Sequence, residues 1–187
     1  MIQHLSQFLY QKLSVWKVLI SLILFAAYIV VVLPAEASRS DQVIGSAPSP
    51  DTSFYYSQTE LHQMVEAYGP EGRSYYISSR IKFDILWPLV YTFFLINTIS
   101  WILDKTILEN SKLRLLNLVP LAGILFDYLE NISNMIVMVR YPATTGILAS
   151  LAGIFTSFKW IFLGASFFIP MVAIFLWVGV RFKLIKS

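Results

Sequence analysis

Asp127, Glu130, Asn131 and Asn134 lie within a stretch, Leu115 to Val139, that is otherwise apolar enough to sit in hydrocarbon. Two carboxyls and two amides on adjacent helical turns could hold the polar head of a ligand, transfer a proton, or ligate a hard metal ion. A helix advances about 100° per residue. That places Pro120, Gly123, Asp127, Glu130, Asn131, Asn134, Met138 and Tyr141 on one face, opposite Leu, Ile, Val and Phe. A charge at the bilayer centre costs roughly 2.5–3.5 kcal/mol on insertion scales, so the stripe must face protein or trapped water. Either one carboxyl is protonated or both have cationic or amide partners.

Few cations are available to it. Lys159 is expected near the start of the last apolar segment, on a face with Ser166 and Pro170 and with Thr156 close by. Arg140 ends the acidic segment, and Arg73 and Arg80 approach from an upstream helix. Arg80 and Asp84 are four apart and can pair, and Tyr91 falls on the same side. The candidate ligand-binding cluster is therefore Asp84, Tyr91, Asp127, Glu130, Asn131, Asn134 and Lys159. Arg73 and Arg80 border it, and Arg140 and Tyr141 form part of its rim.

The elements that must position these residues are apolar helices. The 187-residue chain is 57% hydrophobic and only 13% charged, so its solvent is a bilayer rather than water. Val18 to Leu33, Ile85 to Leu103, Leu115 to Val139 and Ile161 to Val180 are each a candidate span, the first helix starting earlier, around Leu13 to Trp16. The expected fold is all-α: an integral membrane four-helix bundle with a short extracytoplasmic amphipathic helix between spans 1 and 2. Residues 1–33 form an N-terminal amphipathic segment and span 1, residues 34–82 an extracytoplasmic loop with surface helices, and residues 83–187 the core bundle. Within the connection, "SRSDQVIGSAPSPDTS" reads as loop. Ser57 and Glu60 have capping-box spacing, and Leu61, Met64, Val65 and Tyr68 form an apolar stripe. Gly69 suits a helix stop and Pro70 the first turn of the next helix, which is expected to run into the second span, with Pro88 kinking it.

Composition excludes several chemistries. Without cysteine there is no disulfide and no thiolate catalysis or ligation. The two histidines, His4 and His62, are too far apart for a His-based metal centre or triad, and no metal site or cofactor is assigned. The net charge of +3 does not indicate nucleic acid, because the basic residues cluster beside the spans. Lys12, Lys17, Lys105, Lys112, Arg114, Arg181, Lys183 and Lys186 fall on one side, which the positive-inside rule makes cytoplasmic. Both termini are then expected in the cytoplasm, in a plasma or inner membrane. Ala35-Glu36-Ala37 has the small-x-small pattern of a processing site, but the long preceding n-region favours a retained anchor. The sequon Asn131-Ile-Ser133 lies inside a span, away from the transferase.

Three functional readings follow, a proton- or ion-coupled carrier being disfavoured for a monomer by four spans without a repeat. The stripe is a structural polar core, including that of an accessory subunit with a membrane-protein partner. Or it is a pocket whose carboxyls and amides meet the head of a lipid-like small molecule while Phe, Tyr and Trp take its apolar part, and a protonated carboxyl could transfer a proton to a double bond or ring. Or Asp127-x-x-Glu130, with Asp84 or Asn131, holds a metal ion for lipid-phosphate chemistry. The four-span plan with membrane acids resembles the emopamil-binding and sigma-2-receptor-type family. The resemblance implies a sterol-like ligand and assigns no residue role.

The charge asymmetry makes a direct prediction. Single cysteines placed at Ser46 and Thr145 should react with an impermeant thiol reagent in intact cells, and one at Ser111 only after permeabilisation. The reverse pattern would invert the orientation.

Overall fold

The computed structural model describes residues 1–181; Lys183 and Lys186, assigned above to the inner side, lie outside them. Eight α-helices follow in order: α1 (Ile2–Gln11), α2 (Val15–Ala27), α3 (Leu33–Ile44), α4 (Gln58–Ala67), α5 (Gly69–Lys82), α6 (Leu86–Thr106), α7 (Val119–Arg140) and α8 (Ile147–Arg181). There is no strand among the described residues. Four helical stretches are long and apolar enough to cross a membrane: Val15–Ile44, Leu86–Thr106, Lys112–Arg140 and Ile147–Val178. α7 packs most extensively on α8, and α6 packs on α2, α7 and α8.

Several boundaries follow their local chemistry. Ser14 caps α2, its hydroxyl accepting from the Lys17 N–H at 3.3 Å. Ser57 and Glu60 form the reciprocal capping box of α4. Leu61, Met64, Val65 and Tyr68 are all buried. Gly69 takes φ +61°, a conformation that disfavours a side chain, and Pro70 follows in the first turn of α5.

Three expectations are corrected. First, the helix does not end near Leu33. A π-helical turn, Tyr28–Val32, joins α2 to α3 in one rod of 30 residues, Val15–Ile44. In unbroken α geometry the Pro34 ring would meet the Val30 carbonyl, and the wider π turn accommodates it. Irregular chain therefore begins at Gly45 (φ +64°), not at Ser38. Second, α5 does not run into α6. Phe83, Asp84 and Ile85 form a turn between them, and Pro88 explains it: its ring excludes an α-positioned Asp84 carbonyl. Third, α8 starts at Ile147, so Lys159 lies well inside a 35-residue helix rather than near its start. Ser150, Thr156, Ser157 and Lys159 dilute the hydropathy there.

A strap seats the connection on α8. The Trp160 Nε1–H donates to the Ser53 carbonyl (2.9 Å), and the Ser157 hydroxyl donates to the Phe54 carbonyl (3.0 Å). The Thr156 hydroxyl lies 3.0 Å from the Tyr56 phenol oxygen. Gly153 completes this i, i+3, i+4, i+7 row, and a Cβ there would collide with the Tyr56 carbonyl. Gly153→Ala should therefore displace the strap and lower stability by about 1–3 kcal/mol, as overpacking does. Thermal unfolding of the purified protein measures this; an unchanged midpoint would mean that the strap does not sit on Gly153.

Candidate functional site

The polar residues of α7 form two rows. Asp127 and Asn131 are one helical turn apart, as are Glu130 and Asn134, and the rows are offset by about 60° at 100° per residue. Each row meets different elements.

The Glu130 row faces α8 and the strap. The Glu130 Oε2 is 2.5 Å from the Lys159 ammonium, with the two side chains 0% and 8% exposed. The Asn134 amide donates to the Tyr56 hydroxyl (2.9 Å), which reaches Glu130 Oε1 at 3.4 Å. Burial pushes the Tyr56 phenol up, and the nearby Glu130 charge adds to this, so Tyr56 remains a neutral donor. This half is closed, and each carboxylate oxygen of Glu130 has a polar neighbour.

The Asp127 row faces α5 and α6. The Tyr91 hydroxyl donates to Asp127 Oδ2 (2.7 Å), and the Asn131 amide donates to Oδ1 (2.9 Å). Asn131 in turn accepts from Arg80 Nη1 at 3.3 Å. Arg80 is 2.7 Å from Asp84, the i, i+4 spacing read from the sequence. Its stronger partner is Asp51, from the turn Pro50–Thr52, which it meets in a two-pronged contact at 2.8 and 2.5 Å. Burial pushes the Asp84 carboxyl up to about 7, against the pull of Arg80, whose fork Asp51 already engages.

A cavity of about 750 Å³ opens beside this second row. Arg80, Lys159 and the carboxyls of Glu36, Asp41, Asp51, Asp84 and Asp127 supply its charged wall, and Leu33, Phe83, Trp87, Tyr91, Trp160 and Leu163 its apolar wall. Arg80 Nε–H and the Tyr76 hydroxyl, on residues that border the cavity, are themselves without accessible surface and have no hydrogen-bond partner among the described residues.

Of the candidate residues, Asp84, Tyr91, Asp127, Lys159 and Arg80 border the cavity, whereas Glu130, Asn131 and Asn134 pack behind it. Arg73, Arg140 and Tyr141 do not line it. Arg73 donates to the Val65 carbonyl (3.1 Å) and lies 4.3 Å from the centre of the Tyr141 ring, forming a separate patch; Arg140 is exposed. Asp51 and Tyr56 were not singled out from sequence, and Glu36 only within the small-x-small pattern Ala35-Glu36-Ala37. Glu36 accepts from Tyr75 (2.8 Å) and Ser79 (2.6 Å), tying α3 to α5 at the cavity edge.

The donor set for a metal is dispersed. Asp127 and Glu130 turn to different partners, and no three His, Cys, Asp or Glu residues converge on a common point among the described residues. No protein-family model, curated protein or solved structure matches the chain. The likeness to the emopamil-binding type thus stays one of architecture.

Lys159→Met should leave Glu130 buried without its cation, and Glu130→Gln should strand Lys159. Each should cost about 3–5 kcal/mol, while the double variant should recover much of the loss. Thermal or denaturant unfolding of the three proteins checks this. Additive losses would show that the two charges do not depend on each other.

Proposed function

We propose that this chain is a multi-pass membrane protein, a four-helix bundle with both termini in the cytoplasm, that binds an amphipathic, lipid-like small molecule in the cavity beside Asp127. One observation carries the reading: a cavity with an apolar, aromatic wall is bordered by the buried side chains of Asp84, Asp127 and Lys159 and by Arg80. The polar head of a ligand would meet these side chains while its apolar part lay against Phe83, Trp87 and Leu163. The volume falls in the usual range for small-molecule sites, roughly 300–1,000 Å³. Asp127 is the group placed for proton transfer, because it borders the cavity and its contacts, Tyr91 and Asn131, are neutral donors.

The Glu130–Lys159–Tyr56–Asn134 half supports a second reading, a structural core of an accessory subunit, since its polar groups satisfy one another. The two readings separate at the cavity. Ser40, on α3, lines it without bonding into the polar network. Ser40→Trp should fill the space, reduce uptake of a long-chain fluorescent alcohol at least about tenfold, and leave unfolding within about 1 kcal/mol of wild type. If wild-type protein takes up no amphiphile, or the variant takes up as much, the pocket reading fails and the accessory-subunit reading stands.

A further inference from the structure

Arg80 has an unusual set of partners. Its guanidinium is deeply placed, with the side chain 11% exposed, yet its two-pronged partner comes from a connection rather than from a packed helix. That partner, Asp51, is 32% exposed. It follows the segment Gly45–Ser49, rich in Gly, Ser and Pro, whose residues also border the cavity. Arg80 Nε–H is unpaired, so Asp51 does not saturate the guanidinium. On its other side Arg80 meets Asp84 at 2.7 Å, Asn131 and the Tyr76 ring, 4.3 Å from the guanidinium carbon. The cation is thus fixed from behind, and the carboxylate in front of it can reach water by rotating outward.

We propose that Asp51 is a displaceable latch, and that the cavity's ligand carries an oxyanion head, a carboxylate or phosphate, that takes the place of the Asp51 carboxylate on Arg80. This rests on the cavity being a site for a lipid-like molecule and names the chemistry of the head. The planar fork of arginine matches a carboxylate or phosphate in the two-pronged geometry that Asp51 adopts. The exchange substitutes one anion for another. At the fork one oxyanion thus replaces another, which limits the repulsion that an added anion would meet from Glu36, Asp41, Asp84 and Asp127. The acyl part lies against Trp87 and Leu163. An intramolecular competitor lowers apparent affinity by the fraction of time the fork is open, so removing the latch raises it.

The test uses the full chain in detergent micelles and three fluorescent probes of equal chain length: a fatty acid, the corresponding alcohol and the corresponding amine. Asp51→Asn should raise the ratio of acid to alcohol affinity about tenfold or more. Arg80→Gln in the Asp51→Asn background, which leaves no stranded Asp51 charge, should abolish that gain. A long-chain alkyl phosphate should follow the acid if the fork reads oxyanions in general. Alcohol binding with an acid-to-alcohol ratio unchanged by Asp51→Asn would overturn the latch and leave the pocket standing. So would a preference for the amine that Asp51→Asn weakens. Failure of every probe to bind would overturn the pocket and the latch together.

Discussion

The contact between Lys159 and Glu130 is the constraint on which the rest depends. An ammonium and a carboxylate, each almost wholly removed from solvent, are costly unless they meet, and the cost of separating them fixes how α7 and α8 face each other. Once Lys159 points at Glu130, the phase of α8 is set. Gly153, Thr156, Ser157 and Trp160 then form the row that receives Ser53 to Tyr56. The phase of α7 is set as well. With Glu130 and Asn134 turned to α8, Asp127 and Asn131 must face α5 and α6, where Arg80 and Tyr91 meet them. A single ion pair thus determines both the seat of the connection and the direction in which the cavity opens.

What could be read from the sequence was what repeats at a helical period or caps a helix. The polar stripe of α7, the Ser57–Glu60 box, the buried face of α4 and the pairing of Arg80 with Asp84 all depend on residues three or four apart. The errors have equally local causes. Pro34 suggested a stop, yet one π turn lets the helix continue through it to Ile44. Lys159 seemed close to a helix end because the polar residues around it lowered the apolar score, although they are the inward face of a much longer helix.

Asp51 and Tyr56 were not legible for another reason. They sit in a connection with no period, and nothing in the local sequence says which of several outer acids and tyrosines will be drawn inward. Their partners are distant: Arg80 is 29 positions from Asp51, and Asn134 is 78 from Tyr56. In hindsight the spacing on α8 held a trace of the strap, since Gly153, Thr156, Ser157 and Trp160 combine a backbone-sized gap with three hydrogen-bonding side chains on one face. That pattern identifies a seat for extended chain but not which segment occupies it.

The offset between the two rows of α7 explains why one helix carries both a sealed core and an open wall. Elsewhere in the apolar helices, several polar side chains answer to their own backbone: Asn97 donates to Phe93, Ser133 to Leu129 and Ser166 to Phe162, each four residues earlier. Carboxylates have no such outlet, because they cannot donate to a backbone carbonyl. They must be met from other elements. Glu130 is met by a cation and a phenol, and nothing more is required of it. Asp127 is met by a phenol and an amide, and stands beside open space near an arginine that a surface carboxylate holds. The asymmetry lies in the supply of cations: Lys159 is committed to the closed row, and Arg80 reaches the open row through Asn131. Asp127, at the cavity's edge, is thus the carboxylate of the stripe whose hydrogen-bond partners are neutral.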